Sequence, residues 1–176
     1  MIEHKNVESV IRYYLNFLPP KHVDSIINIG GGITDPYAGL LKRRCMRYVN
    51  VDVRSSTKVD YVCDIIRGTK FNDKEFEWGW CSEVLEHIPK RKQKKFVEEV
   101  LRICKNVVFT FPLPKHPSFN EDPGHVPVVI DFFKYSNKFS VEWKETKTGR
   151  CIVTLNDKHY ESQRHETVEK WLETKS

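Results

Sequence analysis

Two groups of residues have types and spacings that could do chemistry. The first is Glu83, Glu86 and His87 in SEVLEHIP, with His116 and His125 farther on in KHPSFNEDPGHVP. Carboxylates and imidazoles can accept a proton from a reacting group or ligate a divalent ion. At spacings of i, i+3 and i+4, Glu83, Glu86 and His87 would share one face of a helical turn. The second group is SIINIGGGITDP, where a β-branched run delivers Gly30, Gly31 and Gly32 to a turn ahead of a short helix. Glycines there let the backbone turn sharply and approach a ligand closely. Asp52 ends the next strand, twenty residues after Gly32, where a carboxylate can accept from both hydroxyls of a ribose. Glycine loop and spaced acid together point to an adenosine-containing cofactor; the glycines alone would mean only a tight turn. Ile33, Thr34 and Asp35 follow the loop, so the third glycine of a dinucleotide fingerprint is missing, which argues against nicotinamide.

From Ser25 to Phe111 the succession GGG, VDV, CDI and SEVLEHIP resembles the class I S-adenosylmethionine-dependent methyltransferase superfamily. The resemblance implies a Rossmann-like fold, S-adenosylmethionine as cofactor and methyl transfer as the reaction. It places Gly30, Gly31 and Gly32 under the methionine part, Asp52 at the ribose, and Asp64 with Ile65 at the adenine. Ser82 and Glu83 would border the reactive sulfur. Asn28 stands where the superfamily usually has an acid, and it can still accept from the cofactor's ammonium, without charge. The ExxEH pattern also resembles metal-dependent O-methyltransferases, including those acting on RNA 3′ ends and on quinone precursors, with His125 as the natural fourth ligand. The simpler reading is that this turn packs and caps, as in metal-free relatives. It is preferred here: no residue is assigned to a metal, a divalent ion is the less favoured expectation, and His87, Glu83 and His125 are the expected catalytic residues. His116 is a further candidate, and one of the two loop histidines is expected at the substrate.

The elements that must position these residues alternate between strand and helix periodicity, which argues for a parallel sheet flanked by helices. Residues 7–18 have helical spacing up to Pro19-Pro20. Strands are expected at Ser25–Ile29, Tyr48–Val53, Asp60–Cys63, Phe76–Cys81 and Asn106–Phe111, with a short helix after Asp35-Pro36. Pro89 opens an amphipathic helix through Ile103 whose buried side is Phe96, Val97, Val100, Leu101 and Ile103. Pro112–Pro127 is too long for a mere connection and is a candidate lid or binding loop. A helix at Val128–Tyr135 should follow, then an antiparallel hairpin of Phe139–Trp143 and Cys151–Leu155 across Thr148-Gly149. The expectation is therefore an α/β fold: one doubly wound, seven-stranded, mostly parallel sheet in a single domain, residues 1–156. Residues 157–176 form a polar tail with a surface helix at Glu166–Leu172. Trp78, Trp80, Phe132 and Phe133 are expected in the core, as is Phe119, although the three phenylalanines could line an acceptor pocket.

The 176 residues, 39% hydrophobic and 30% charged, suit one globular domain with a real core. No apolar run approaches a membrane span, and no signal peptide is evident. The five cysteines include no CxxC pair, which argues for reduced thiols in the cytosol rather than a zinc site. Net charge is +5, with basic clusters at Lys42–Arg47 and Lys90–Lys95. A solvated helix face is the simpler account of the second cluster. A small-molecule acceptor, methylated on a hydroxyl or nitrogen, is therefore favoured. RNA or DNA bound through the Lys90–Lys95 face is the alternative, because no nucleic-acid motif is present. Two other readings stay open: a catalytically inactive cofactor-binding module that regulates a partner, and a nicotinamide oxidoreductase, which Asp52 permits and SEVLEHIP opposes.

Overall fold

A computed structural model describes residues 17–163. The helix expected over residues 7–18 lies outside them except for Phe17 and Leu18, and the Glu166–Leu172 helix lies wholly outside. Five strands run parallel: β1 (Val23–Ile29), β2 (Cys45–Asp52), β3 (Tyr61–Val62), β4 (Phe76–Ser82) and β5 (Cys104–Pro112). β6 (Phe139–Glu145) and β7 (Arg150–Asp157) form an antiparallel hairpin, and β7 inserts between β5 and β6. The order across the sheet is β3-β2-β1-β4-β5-β7-β6. Gly149 makes the hairpin turn possible, with φ +88, a region that costs a side-chain-bearing residue strain.

The central strands read as nearly unbroken apolar runs because both faces of a parallel sheet are covered. All seven residues of β4 are buried, and so is β1 apart from Asp24. Alternation along β1 sends Ile27 and Ile29 to one core and Ile26 to the other. The larger core packs against α2 (Lys90–Ile103), which follows the four-residue α1 (Ala38–Leu41). α2 turns Phe96, Val97, Val100, Leu101 and Ile103 inward, as its spacing predicts. The smaller core holds Tyr37, Leu41, Trp78 and Trp80, and Phe17 and Leu18 pack against it. Cys81, Cys104 and Cys151 are buried and all five thiols are free. Among the described residues no helix is long and apolar enough to cross a membrane.

Two expectations need correction. The Val128–Tyr135 helix shrinks to a 3-10 turn at Phe132–Tyr135, started by Asp131, whose carboxylate accepts from the Phe133 N–H. β-branched Val128, Val129 and Ile130 disfavour a helix behind Pro127, and this stretch has no regular structure and is held to α2 through Gln93. The segment after β5 is also less irregular than a bare loop, since it carries the short α3 (Pro117–Glu121), capped by His116. Strand order reverses at β1/β4, and there the carboxyl ends of the strands open the crevice in which doubly wound sheets take ligands.

Candidate functional site

The glycine turn leaves β1 with Gly30 at φ +69 and Gly32 at φ +72. A Cβ on Gly30 would lie 2.4 Å from the Val84 Cγ2, and one on Gly31 would lie 2.3 Å from both Asn28 Nδ2 and Asn50 Oδ1. Gly30 and Gly31 therefore have no room for a side chain, whereas at Gly32 it is the positive φ that disfavours one. Beside it lies a cavity of about 450 Å³ walled by Gly30, Asp52, Arg54, Asp64, Ile65 and Val84, with Glu83 and His87 at one end. Its size lies in the usual range for a bound cofactor. The Asp52 carboxylate accepts from Gly32 N–H (3.0 Å) and from Arg54 Nε (3.1 Å) and N–H (2.9 Å). Burial works to raise this carboxyl, but the Arg54 and Gly32 donors outweigh it and hold it below the usual range, so it is an anion ready to accept from hydroxyls.

Asp64 accepts from Ile66 N–H (3.0 Å) and meets Arg67 at 3.3 Å, fixing the turn that carries Ile65 into the cavity wall. Gly30, Asp52, Asp64 and Ile65 are thus brought together as the sequence predicts. Asn28 and Ser82 stand behind this wall. The Asn28 amide donates to Asp35 Oδ1 and Tyr48 Oη, both at 3.0 Å. Ser82 Oγ bonds Tyr37 Oη at 3.1 Å and Thr110 Oγ1 at 2.8 Å.

At the cavity's open end the ExxEH segment folds differently from one helical face. Leu85–His87 is a 3-10 turn, but Glu83 precedes it with φ +57. With that left-handed backbone, Glu83 stays outside the cluster that Glu86 and His87 form with His125. Its carboxylate pairs with Arg150 Nη1 of β7 (2.6 Å) and accepts from Thr110 Oγ1 (3.3 Å). The expectation that Glu83, Glu86 and His87 share a face is corrected accordingly: a positive-φ residue breaks helical geometry before the turn begins.

His125 takes the place beside the other two. Ligating atoms of Glu86, His87 and His125 lie within 4.8 Å of one another, and the two imidazoles stand edge to face with centroids 4.6 Å apart. Glu86 is 0% exposed, and neither carboxylate oxygen has a hydrogen-bond partner. Such a group is costly unless something pairs with it. Burial, with the charge of Glu83 adding to it, pushes its carboxyl well above the usual range. Desolvation of its inner side and the His125 charge lower the His87 imidazole from its ordinary value, although the residue is exposed on its outer side. His125 Nδ1 lies 3.1 Å from the Phe119 carbonyl. A carbonyl only accepts, so Nδ1 carries a proton there and Nε2, 3.8 Å from Asp122 Oδ2, is the nitrogen that faces the cluster. Two imidazoles beside a buried acid fit a divalent cation.

His116, the other loop histidine, caps α3 at Ser118 and lies 3.2 Å from Arg150 Nε. Phe119 lies against His125, Phe132 is fully buried and Phe133 is 56% exposed, the last contrary to the core expected for it. Two residues that hold the site together escaped sequence reasoning. Arg150 sits on β7, far from Glu83 along the chain. Gln93 lies hidden in the lysine run of α2. Its amide nitrogen lies 3.1–3.2 Å from the carbonyls of Leu85, Ile88 and Pro127, and its oxygen accepts from Val129 N–H at 2.9 Å. With Val126 N–H bonded to the Glu86 carbonyl (2.7 Å), it ties the His125 segment to the His87 turn. An uncharged residue amid lysines was the one available signal.

Residues 27–109, just under half the chain, match a family model described as a methyltransferase domain. No curated protein sequence matches the chain. Among solved structures, a SAM-dependent methyltransferase from Archaeoglobus fulgidus is similar, with a TM-score of 0.67 at 15% identity. The match covers 87% of this chain and 94% of that one. N-methyltransferase NodS from Bradyrhizobium japonicum WM9, in complex with S-adenosyl-L-homocysteine, superposes with a TM-score of 0.60 at 13% identity, over 89% and 87% of the two chains. The small RNA methyltransferase HEN1 superposes with a TM-score of 0.63 at 16% identity, over 86% of this chain and 25% of that one.

Proposed function

We propose that the chain is a class I S-adenosylmethionine-dependent methyltransferase and that it methylates an acceptor hydroxyl at the Glu86–His87–His125 face, where these residues would hold a divalent cation. The observation that carries this reading is Glu86, a wholly buried carboxylate with both oxygens unpaired, beside two histidines. The cofactor supplies an activated methyl on a sulfonium, so the protein's tasks are alignment, exclusion of water and removal of the acceptor's proton.

Asp52 receives the ribose hydroxyls, Asp64 and Ile65 receive the adenine, and the crowded glycine turn admits the cofactor's chain close to its backbone. Glu86, His87 and His125 would hold the cation, whose chemistry is to lower the pKa of a bound hydroxyl. Phe119, accepting from His125 Nδ1–H through its carbonyl, orients the ring so that Nε2 would be the ligand atom. A small molecule bearing the hydroxyl suits the site, where His125 stands beside His87 at the cavity wall.

A nucleic acid is the second reading. It is favoured by the position of Lys90 and Arg91, exposed at the start of α2 directly after Pro89, which lines the cavity. HEN1, a structural neighbour, is a small RNA methyltransferase. The test is transfer of a labelled methyl from S-adenosylmethionine to panels of small hydroxyl compounds and short RNAs, with manganese or with EDTA. Label should appear in one hydroxyl class and vanish with EDTA. Equal transfer in EDTA would remove the cation, and transfer confined to nitrogen would refute the hydroxyl.

A further inference from the structure

Glu83 belongs to the same sequence motif as Glu86 and His87, yet the fold gives it different company. Its backbone is left-handed, and its carboxylate is held by Arg150 at 2.6 Å and by Thr110 at 3.3 Å. It is not part of the set whose ligating atoms lie within 4.8 Å of one another. Arg150 is itself well fixed: its backbone pairs with Pro112, its N–H donates to Thr146 Oγ1 and its Nε meets His116. Glu83 and Arg150 lie 28% and 16% exposed, so water screens the pair only partly. Left-handed backbone at a residue with a side chain is strained and persists only where its surroundings hold it.

The geometry points to a three-residue cation face from which Arg150 withholds Glu83. Arg150 is a positioning residue: it keeps the coordination set at Glu86, His87 and His125, and so leaves positions open for the acceptor's oxygen and water. Open positions mark catalytic metal sites, whereas full protein coordination marks structural ones. Glu83, fixed at the end of the cofactor cavity, then faces the acceptor and not the ion. This rests on the cation reading above and adds to it which acid binds and what keeps the other away.

The experiment is calorimetric titration of manganese into the whole protein, saturated with S-adenosylhomocysteine, in the unmodified chain and four variants. Glu86→Gln should weaken manganese binding by about 30-fold or more, whereas Glu83→Gln should change it by less than about threefold. Arg150→Met should tighten it by about tenfold as Glu83 swings onto the ion. Arg150→Met combined with Glu83→Gln should return affinity to that of the unmodified chain, which separates a released ligand from a mere change in nearby charge. S-adenosylhomocysteine affinity, measured in parallel, reports whether each variant is folded. Weakening in Glu83→Gln equal to that in Glu86→Gln overturns the inference, whether or not Arg150→Met folds. No tightening in a folded Arg150→Met overturns it as well. Absence of manganese binding in the unmodified chain sinks the cation reading itself, and the inference with it.

Discussion

Gly31 and Asp52 carry different burdens within the proposed cofactor site. A methyl on Gly31 would fall 2.3 Å from two buried amide side chains, both on strands whose neighbours leave no slack. Gly31→Ala should therefore lower folding stability by about 1–3 kcal/mol, read as a drop in the urea midpoint, and weaken S-adenosylhomocysteine by more than tenfold. An unchanged midpoint would mean that the turn can move. Asp52→Asn keeps the shape but removes the charge held by Arg54 and Gly32. It should weaken S-adenosylhomocysteine by about tenfold, the loss of a charge-assisted pair to a hydroxyl, with the urea midpoint little changed. Both residues were legible in the sequence because local spacing defines them: a strand, a turn, a second strand. Glu83 was not, since its role depends on a positive φ and on Arg150, a partner brought in by the last strand. No periodicity encodes either.

At the level of elements, the strands and α2 were legible because apolar periodicity and burial are the same fact seen twice. The stretch at Val128–Tyr135 was not. Its apolar residues fit a helix or an extended chain, and the choice was made by α2 through Gln93. That side chain serves the backbone of Leu85, Ile88, Pro127 and Val129 together, so it joins the His87 turn to the segment after His125. Gln93→Leu is close in volume and leaves those buried backbone groups without their partner. The expected loss is about 1–3 kcal/mol of stability. Manganese affinity should fall as well, because the two histidines would no longer share a fixed frame. Stability lost with manganese affinity intact would show that Val126 N–H alone sets the distance between them.

Across the whole molecule, the two ends of the sheet divide the work. The carboxyl ends hold the glycine turn, the left-handed Glu83 and the unpaired acid Glu86, and the opposite end is laced with ion pairs. There Glu99 on α2 accepts from both nitrogens of an Arg102 fork (2.9 and 2.7 Å) and from Thr69 Oγ1 and N–H (2.8 and 2.7 Å). Arg102 also meets Asp73 at 2.6 Å, and Lys74 meets Asp157 at 2.9 Å, so the network ties α2 to the loop before β4. The hydrogen bonds from Arg102 come first in holding the Glu99 carboxyl down at about 2, against 4.5 for a free one. A carboxyl lowered by folding contributes its stability in full above its unfolded value and loses it as pH falls through the folded value. Asp157, lowered by Lys74 against its own burial, adds in the same direction. Below about pH 4.5 this network should make the thermal midpoint fall towards pH 2. Glu99→Gln should start lower at pH 7 and fall less over that acid range, because the group that titrates is gone. Parallel acid curves for the two proteins would place the sensitivity elsewhere. The site end would then share the cost of holding the domain together, and the division between a braced end and a reactive end would not hold.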